Sequence, residues 1–411
     1  MSAQDGKVIG AVKILDNGDP AKRFNLVLVA EGFKQSELGD FAGYAQDFVD
    51  GLFAIAPFDQ HSCAINVWRL DVASTDSGAD DPAGCGGTGA TPHTYFDATF
   101  CGGGVPRALV CDTTLVQNTV QAWVPQYHSA QVIVNTKKYG GTGGAVGVAS
   151  VATKNSKGEN VDWREILIHE MGHSIFGLAD EYPYLQGCDS GEIDRNHYSG
   201  PEPGKPNITT HGDASGKWSD LVNTSTPTWT NPNCSKCPPD PGAPGGPSNN
   251  DVVIGTLEGA GTYHCGLYRP QANCKMRKLG QPFCAVCERE IDEYLKPYDA
   301  EQCLKLKRID LSKWAAVATI LFGVIQDGGG VIIVGGVPIP IDPWGPLRQS
   351  IWGAMANPHE ASPAMRDLVT GIALQQLSTI VASPGAAARI GAAANALVNE
   401  AAARLPVATI R

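Results

Sequence analysis

Two histidines and a glutamate with the spacing of a metal site occur in the pentapeptide H-E-M-G-H, residues 169–173. The preceding residues, 162–168, have a helical pattern, and residues four apart lie on one face of a helix. His169 and His173 can therefore bind one zinc ion, while Glu170 between them can act as general base on the attacking water. The spacing predicts a catalytic zinc site. The alternative is a surface helix with two solvated histidines, and the apolar residues around the motif argue against it.

A third protein ligand is expected, because a catalytic zinc has three protein ligands and one open position. After His173 the chain continues S-I-F-G-L-A-D-E-Y, in which a glycine ends the helix and acidic residues follow. We expect Asp180 to be the third ligand, and Glu181 is the next candidate. A distant histidine is the remaining alternative. These histidines are His197, His211 and His264.

The elements that must position this site follow an α/β pattern in the first part of the chain. Short apolar or alternating runs predict strands, and amphipathic runs with polar caps predict helices. The predicted strands cover residues 24–30, 64–72, 131–135 and 145–152. The predicted helices cover residues 36–55 and 113–127. The strand at 145–152 has small side chains and precedes the zinc helix, so we expect it to be the sheet edge that pairs with an extended peptide.

The residues after His173 look like a metzincin arrangement, in which a glycine turn brings the third ligand back to the metal. This chain departs from that pattern in two ways, since the glycine comes one residue later and Asp180 stands where a histidine is usual. The full string H-E-M-G-H-S-I-F-G-L-A-D-E-Y resembles a family of bacterial metallopeptidases named for an IgA peptidase. Shorter matches follow in the same order, and the resemblance covers about residues 20–295. These matches include residues 26–32, 139–141, 268–270 and 274–277.

The resemblance implies an α+β, metzincin-like zinc peptidase fold with a cleft between an upper α/β half and a lower, irregular half. It also implies that Met276 is the methionine of a Met-turn beneath the metal. The expected activity is that of a zinc-dependent endopeptidase that hydrolyses protein or peptide substrates, with Glu170 as general base. The family name does not make immunoglobulin the substrate here.

The resemblance and the composition together divide the chain into two domains. Residues 1–303 are expected to form the catalytic domain, whose upper half ends at about residue 177. Residues 304–411 are rich in alanine and are expected to form a mostly helical C-terminal domain of unknown role. Within it we predict a hairpin at 326–343 and helices at 362–379 and 385–404.

Other functions remain open for the same residues. The chain is alternatively a catalytically silent peptide- or protein-binding module on the same fold, or a zinc amidase. An intact Glu170 favours an active enzyme, because a silent module does not need that carboxylate. A purely structural zinc would have four protein ligands and no open position.

Composition limits the partners. The chain has 411 residues, 43% of them hydrophobic, which suits a packed globular protein. A net charge of −11 and the lack of a dense basic run argue against nucleic acid and anionic membranes as partners. The apolar stretches are too short for a membrane span, and the N-terminal residues do not have the pattern of a secretory signal. The oligomeric state is not predicted.

Twelve cysteines favour disulfides and an oxidising compartment, which suggests secretion or the periplasm. This expectation conflicts with the lack of a signal pattern, so localisation stays open. Two C-x-x-C pairs, Cys234 with Cys237 and Cys284 with Cys287, could instead hold a second, structural zinc. The long separation between the pairs makes disulfides the favoured interpretation.

Overall fold

The protein, for which we use a computed structural model, divides into two compact units, Met1–Glu301 and Gln302–Arg411. Most of the first unit and a small part of the second are described. The described residues are 5–155, 157–185, 188, 195–222, 228–250, 253–299, 331–334 and 337–340.

A six-stranded mixed sheet forms the first part of the first unit. Its strands are β1 (Gly6–Leu15), β2 (Phe24–Glu31), β3 (Ile65–Ser74), β4 (Ser129–Val134), β5 (Gly141–Thr142) and β6 (Gly147–Ser150). The spatial order is β1-β3-β2-β4-β6-β5. The four inner strands run parallel, and β1 and β5 pair antiparallel at the two ends. Every residue of β2 is buried, as expected for the centre of a largely parallel sheet.

Four helices accompany the strands of this unit in the described residues. They are α1 (Leu38–Leu52), α2 (Thr113–Trp123), α3 (Trp163–Ser174) and α4 (Ala285–Leu295). The ring of Trp163 at the start of α3 packs against Tyr44 and Phe48 of α1, with ring centroids 5.5 and 6.3 Å apart. Helix α3 also contacts β4, β5 and β6. The helix that carries the two histidines is therefore fixed to both the sheet and a neighbouring helix.

A second, four-stranded sheet follows the histidine helix. Its strands are β7 (Arg195–His197), β8 (Thr228–Trp229), β9 (Thr256–Ala260) and β10 (Tyr263–Arg269), in the order β7-β10-β9-β8. The chain after residue 177 was expected to be irregular, but it contains this second sheet. Strands of two or three residues are too short to show a period-two pattern, and Gly266 and a shift in register interrupt β10.

The strands and helices predicted for the first unit are present, with bounds shifted by a few residues. Strand β1 was missed, because Ile9 and Val12 on this end strand are exposed and blur the expected alternation. A strand is present within residues 145–152 as predicted, but the prediction that it lies at the edge of the sheet is wrong. Strand β6 pairs on one side with β4 and on the other with β5, so β5 is the end strand. The outer side of β5 is itself contacted, since the Gly141 N–H donates to the Arg107 carbonyl oxygen at 3.2 Å.

Disulfides are present, as the even cysteine count predicts. They join Cys85 to Cys101, Cys188 to Cys237, and Cys234 to Cys265. Cys234 and Cys237 thus belong to two different bridges, so this C-x-x-C pair does not offer two free thiols to one metal. Cys284 and Cys287 are both buried free thiols.

In the second unit, the described strands β11 (Val331–Val334) and β12 (Val337–Pro340) pair antiparallel within the predicted hairpin. The two helices predicted at 362–379 and 385–404 lie outside the described residues. In the part of the chain that the structure describes, no helix combines the length and the apolar character needed to cross a membrane.

Candidate metal centre

The helix α3 that carries the two histidines has defined ends. The Asp162 carboxylate accepts the N–H of Arg164 at 3.0 Å and caps the helix start. At the other end Gly177 has a φ of 65°, a left-handed conformation that glycine adopts without strain. The Leu178 N–H then donates to the Gly172 carbonyl at 2.9 Å. This turn reverses the chain so that the residues after Gly177 return to the histidines.

Both imidazole rings are held by backbone carbonyls. The Nδ1–H of His169 donates to the Lys275 carbonyl at 3.0 Å, and that of His173 donates to the Leu178 carbonyl at 2.8 Å. A carbonyl oxygen only accepts, so Nδ1 carries the proton in each ring. In the neutral ring the lone pair is then on Nε2, which is the arrangement of a metal-binding histidine.

The two Nε2 atoms and one oxygen of Asp180 form a small triangle. The Nε2 atoms of His169 and His173 are 3.2 Å apart. Oδ1 of Asp180 is 3.1 Å from each of them. Three potential donor atoms therefore converge on one point, and the sequence-predicted residues are brought together in this structure.

The protonation states of the two histidines and Asp180 in the triangle depend strongly on one another. Burial disfavours protonation of His173, but the Asp180 carboxylate outweighs it and raises the pKa of the ring to about 9. Burial acts against the ionised form of Asp180, but the two rings hold the pKa of its carboxyl well below the usual range. Asp180 is thus a carboxylate that attracts positive charge to the triangle, either protons or a metal cation.

Glu170 lies beside the triangle and is buried. One of its carboxylate oxygens lies within 4.8 Å of a ring nitrogen of each histidine. Burial raises the pKa of its carboxyl group, which makes the carboxylate a better base. The Cα of Gly141 in β5 is close to it, because a Cβ there would be 3.1 Å from Glu170 Oε1. The side chain is therefore confined between α3 and the glycine-rich β5.

A protein-family model described as IgA Peptidase M64 matches residues 12–236 and 246–295, well over half of the chain. The chain belongs to this peptidase family. A comparison with curated proteins finds no match. The M64 peptidases are of the metallo type, and a protein or peptide substrate follows from the family. The resemblance read from the zinc string is confirmed at the level of the family.

The other candidates for a third ligand are engaged elsewhere in this M64 peptidase. Glu181 is fully buried and accepts a hydrogen bond from Asn207 Nδ2 at 2.9 Å. His211 contacts Ser215 and His264 contacts the Cys234 carbonyl, at 2.8 and 2.9 Å. His197 is exposed on β7. Asp180 is the candidate that contacts both imidazoles.

Met276 packs directly beneath the histidine helix. It is fully buried, and a Cβ at Gly172 would lie 2.5 Å from its Sδ and 2.9 Å from its Cε. Gly172 lies between the two histidines on α3, so only a glycine lets the thioether approach so closely. This contact fits the position that the family resemblance implies for the methionine.

We expect Gly172→Ala to lower the free energy of unfolding by about 1–3 kcal/mol, because the added methyl displaces a fully packed side chain. Gly43→Ala is the matched control, since Gly43 is an exposed helical glycine and a methyl group added there would have no atom within 4 Å. That change should be neutral or stabilising by up to about 1 kcal/mol. Denaturant unfolding of both variants measures the difference. In a Met276→Ala background the cost of Gly172→Ala should largely disappear, and an unchanged cost there would contradict the proposed contact.

Arg107 and Tyr182 flank the triangle, and Arg107 was not among the residues predicted from the sequence. Its guanidinium Nη2 donates to Tyr182 Oη at 3.5 Å and to the Leu185 carbonyl at 3.4 Å. Burial raises the pKa of the Tyr182 phenol well above the usual value, and the negative charge of the nearby Asp180 carboxylate raises it further. No local pattern marks Arg107, because it reaches this position only through the tertiary fold.

We expect Tyr182→Phe to weaken metal binding by about 10–100-fold, because the hydroxyl group next to the Asp180 carboxylate, which we expect to orient it once the metal is bound, is lost. Titration of metal-free protein against a competing chromophoric chelator measures this affinity. Tyr263→Phe is the matched control, because Tyr263 packs against Tyr198 in the second sheet. Equal affinities for the Tyr182 and Tyr263 variants would exclude the orienting role.

Proposed function

We propose that this M64 peptidase is a zinc-dependent endopeptidase whose metal is held by His169, His173 and Asp180. The observation that carries this proposal is the triangle of donor atoms, with sides of 3.1, 3.1 and 3.2 Å. The carbonyl contacts of both Nδ1 atoms support it, because they leave Nε2 as the free donor in each ring.

Zinc fits this donor set in chemistry and size. Zinc binds imidazole nitrogen and carboxylate oxygen at about 2.0–2.2 Å, so two donors in a tetrahedral site lie about 3.3 Å apart. The three observed separations are close to that value. Three protein donors leave one position for water or substrate, which distinguishes a catalytic site from a structural one.

Glu170 is proposed as the general base. A zinc ion, when bound, supplies Lewis acidity that polarises the scissile carbonyl and makes water more acidic. The Glu170 carboxylate accepts a proton from the attacking water while the water oxygen forms a bond to the carbonyl carbon of the substrate. The same carboxyl then returns the proton to the amide nitrogen as the carbon–nitrogen bond breaks. Its confinement beside Gly141 holds the carboxylate near the site of attack.

Asp180, Tyr182 and Arg107 complete the proposed site. We expect Tyr182 to orient the Asp180 carboxylate, and the guanidinium of Arg107 adds positive charge beside the phenol. Arg107 and Tyr182 are also our proposed donors to a developing oxyanion, which a preorganised donor stabilises. The proposed substrate is a protein or peptide, as for a peptidase of this family.

Mass spectrometry of the products from reduced and alkylated casein tests the proposed activity. An endopeptidase yields internal fragments with new amino and carboxyl termini. Release of only ammonia or of single terminal residues would overturn the proposal in favour of an amidase or an exopeptidase. Binding of casein without cleavage by the zinc-loaded protein would favour a silent binding module.

A further inference from the structure

A second cluster of metal-binding side chains lies next to the first site but does not share any residue with it. It consists of Glu181, Cys274, Cys284 and Cys287, all buried. One potential ligand atom from each lies within 4.8 Å of the corresponding atom of every other. We refer to these four residues as the thiolate cluster.

Distances within the thiolate cluster match a tetrahedral zinc site. The Sγ atoms of Cys274 and Cys287 are 3.8 Å apart, far longer than a disulfide bond of about 2.05 Å. Oε1 of Glu181 is 3.3 Å from Cys287 Sγ and 3.6 Å from Cys284 Sγ. With zinc–sulfur bonds of about 2.3 Å and zinc–oxygen bonds of about 2.0 Å, tetrahedral separations are about 3.8 Å between sulfurs and 3.5 Å between sulfur and oxygen.

The sulfur of Cys274 is in the environment of a thiolate. It accepts two backbone N–H groups, from Met276 at 3.4 Å and from Cys284 at 3.2 Å. Hydrogen bonds of this kind favour the charged form of an acceptor. The thiolate, and not the thiol, is the form that binds metal.

A buried oxygen of Glu181 has no partner among the described residues. Its Oε1 accepts from Asn207 Nδ2, but its Oε2 is inaccessible to solvent and makes no hydrogen bond in the described part of the chain. A buried polar oxygen without a partner is costly. A divalent cation bound by the thiolate cluster would be a partner for this carboxyl group.

The cysteine pairing also sets this cluster apart. Six cysteines of the described residues form three disulfides with one another. The thiolate cluster instead has three neighbouring free thiols, and a disulfide among them would leave one cysteine unpaired. A metal ion can bind all three sulfurs together with the Glu181 carboxylate.

We propose that Glu181, Cys274, Cys284 and Cys287 bind a structural zinc ion. Four protein ligands and full burial leave no open position, so the ion would stabilise the fold and not react. Thiolate ligands select zinc over calcium or magnesium. The C-x-x-C spacing of Cys284 and Cys287 suits such a site, and α4 begins between them.

The location gives this zinc a specific role, which rests on the proposed function of the neighbouring centre. Glu181 directly follows Asp180, and its N–H donates to the Met276 carbonyl at 2.7 Å. Cys274 directly precedes Lys275, whose carbonyl accepts from His169. The structural zinc would thus hold together the two segments that position Asp180 and orient His169.

Zinc content of purified full-length protein tests this proposal separately from the proposed activity. The wild type should contain about two zinc ions per chain, and His169→Ala/His173→Ala should retain about one while losing proteolysis. Cys287→Ser added to this double variant should remove the remaining zinc ion. Cys111→Ser added to the same double variant is the control and should leave that ion bound, because Cys111 is a free thiol outside the thiolate cluster.

A second measurement keeps the test valid if Cys287→Ser does not fold. The folded double-histidine variant loaded with cobalt should show thiolate-to-metal charge-transfer absorption. In the zinc-loaded protein, alkylation of Cys274, Cys284 and Cys287 should require both chelator and denaturant. A folded double-histidine variant without zinc would overturn the proposal. A disulfide among the three cysteines, detected by non-reducing peptide mapping, would also overturn it.

Discussion

Glu170→Gln should lower kcat/KM for casein-derived peptides by about 10²–10⁴-fold, which is the usual contribution of a general base. The amide keeps the shape of the side chain but does not accept the proton of the attacking water. Because Glu170 is not one of the three proposed zinc ligands, the variant should bind as much zinc as the wild type. Steady-state kinetics with elemental analysis of the same preparation measures both quantities.

The control for this prediction is Glu159→Gln, which removes an exposed carboxylate from the loop before α3. It should retain wild-type activity and zinc content. A Glu170→Gln variant that keeps most of its activity would exclude Glu170 as the base. Loss of zinc along with activity would instead indicate that Glu170 is needed for metal binding.

Asp180→Ala should weaken zinc binding at the two histidines by more than about 100-fold, since loss of a direct ligand exceeds the 10–100-fold cost of losing a supporting hydrogen bond. The substitution removes one side of the donor triangle, and Oδ1 contacts both imidazoles at 3.1 Å. Proteolysis should fall in parallel at limiting zinc. A competition titration with a chromophoric chelator gives the affinity.

Two further variants make the Asp180 result specific. Asp40→Ala removes an exposed carboxylate from α1 and should leave zinc affinity unchanged. Glu181→Gln should reduce zinc at the thiolate cluster, whereas Asp180→Ala removes a direct ligand of the ion at the two histidines. If Asp180→Ala bound zinc at the histidines as tightly as the wild type, the third ligand would have to be another residue.

The sequence predicted that His169, His173 and Asp180 lie together, and they do, because these residues are close along the chain. His169 and His173 are related by the helical repeat, and Gly177 marks the turn that returns Asp180 to them. The central strand β2 was also predictable, because residues 24–30 form a nearly continuous apolar run of strand length. Local patterns of this kind need no knowledge of tertiary structure.

Other features depend on contacts between distant segments and were not predictable. Arg107 has no motif of its own and meets Tyr182 only in the folded chain. The pair Cys284 and Cys287 was noted as a possible zinc site, but its partners Cys274 and Glu181 come from separate segments. Cys234 and Cys237 form disulfides, which was the favoured interpretation, but their partners Cys265 and Cys188 are distant in the sequence and could not be predicted from it.

The most direct test of the central claim is proteolysis of reduced casein by protein from which zinc has been removed by a chelator and to which zinc is then returned. Cleavage should stop when zinc is removed and return as zinc occupies the site of His169, His173 and Asp180. Zinc returned to Asp180→Ala at the same concentration should not restore the rate. Casein cleavage that continues in fully metal-free protein would contradict the account.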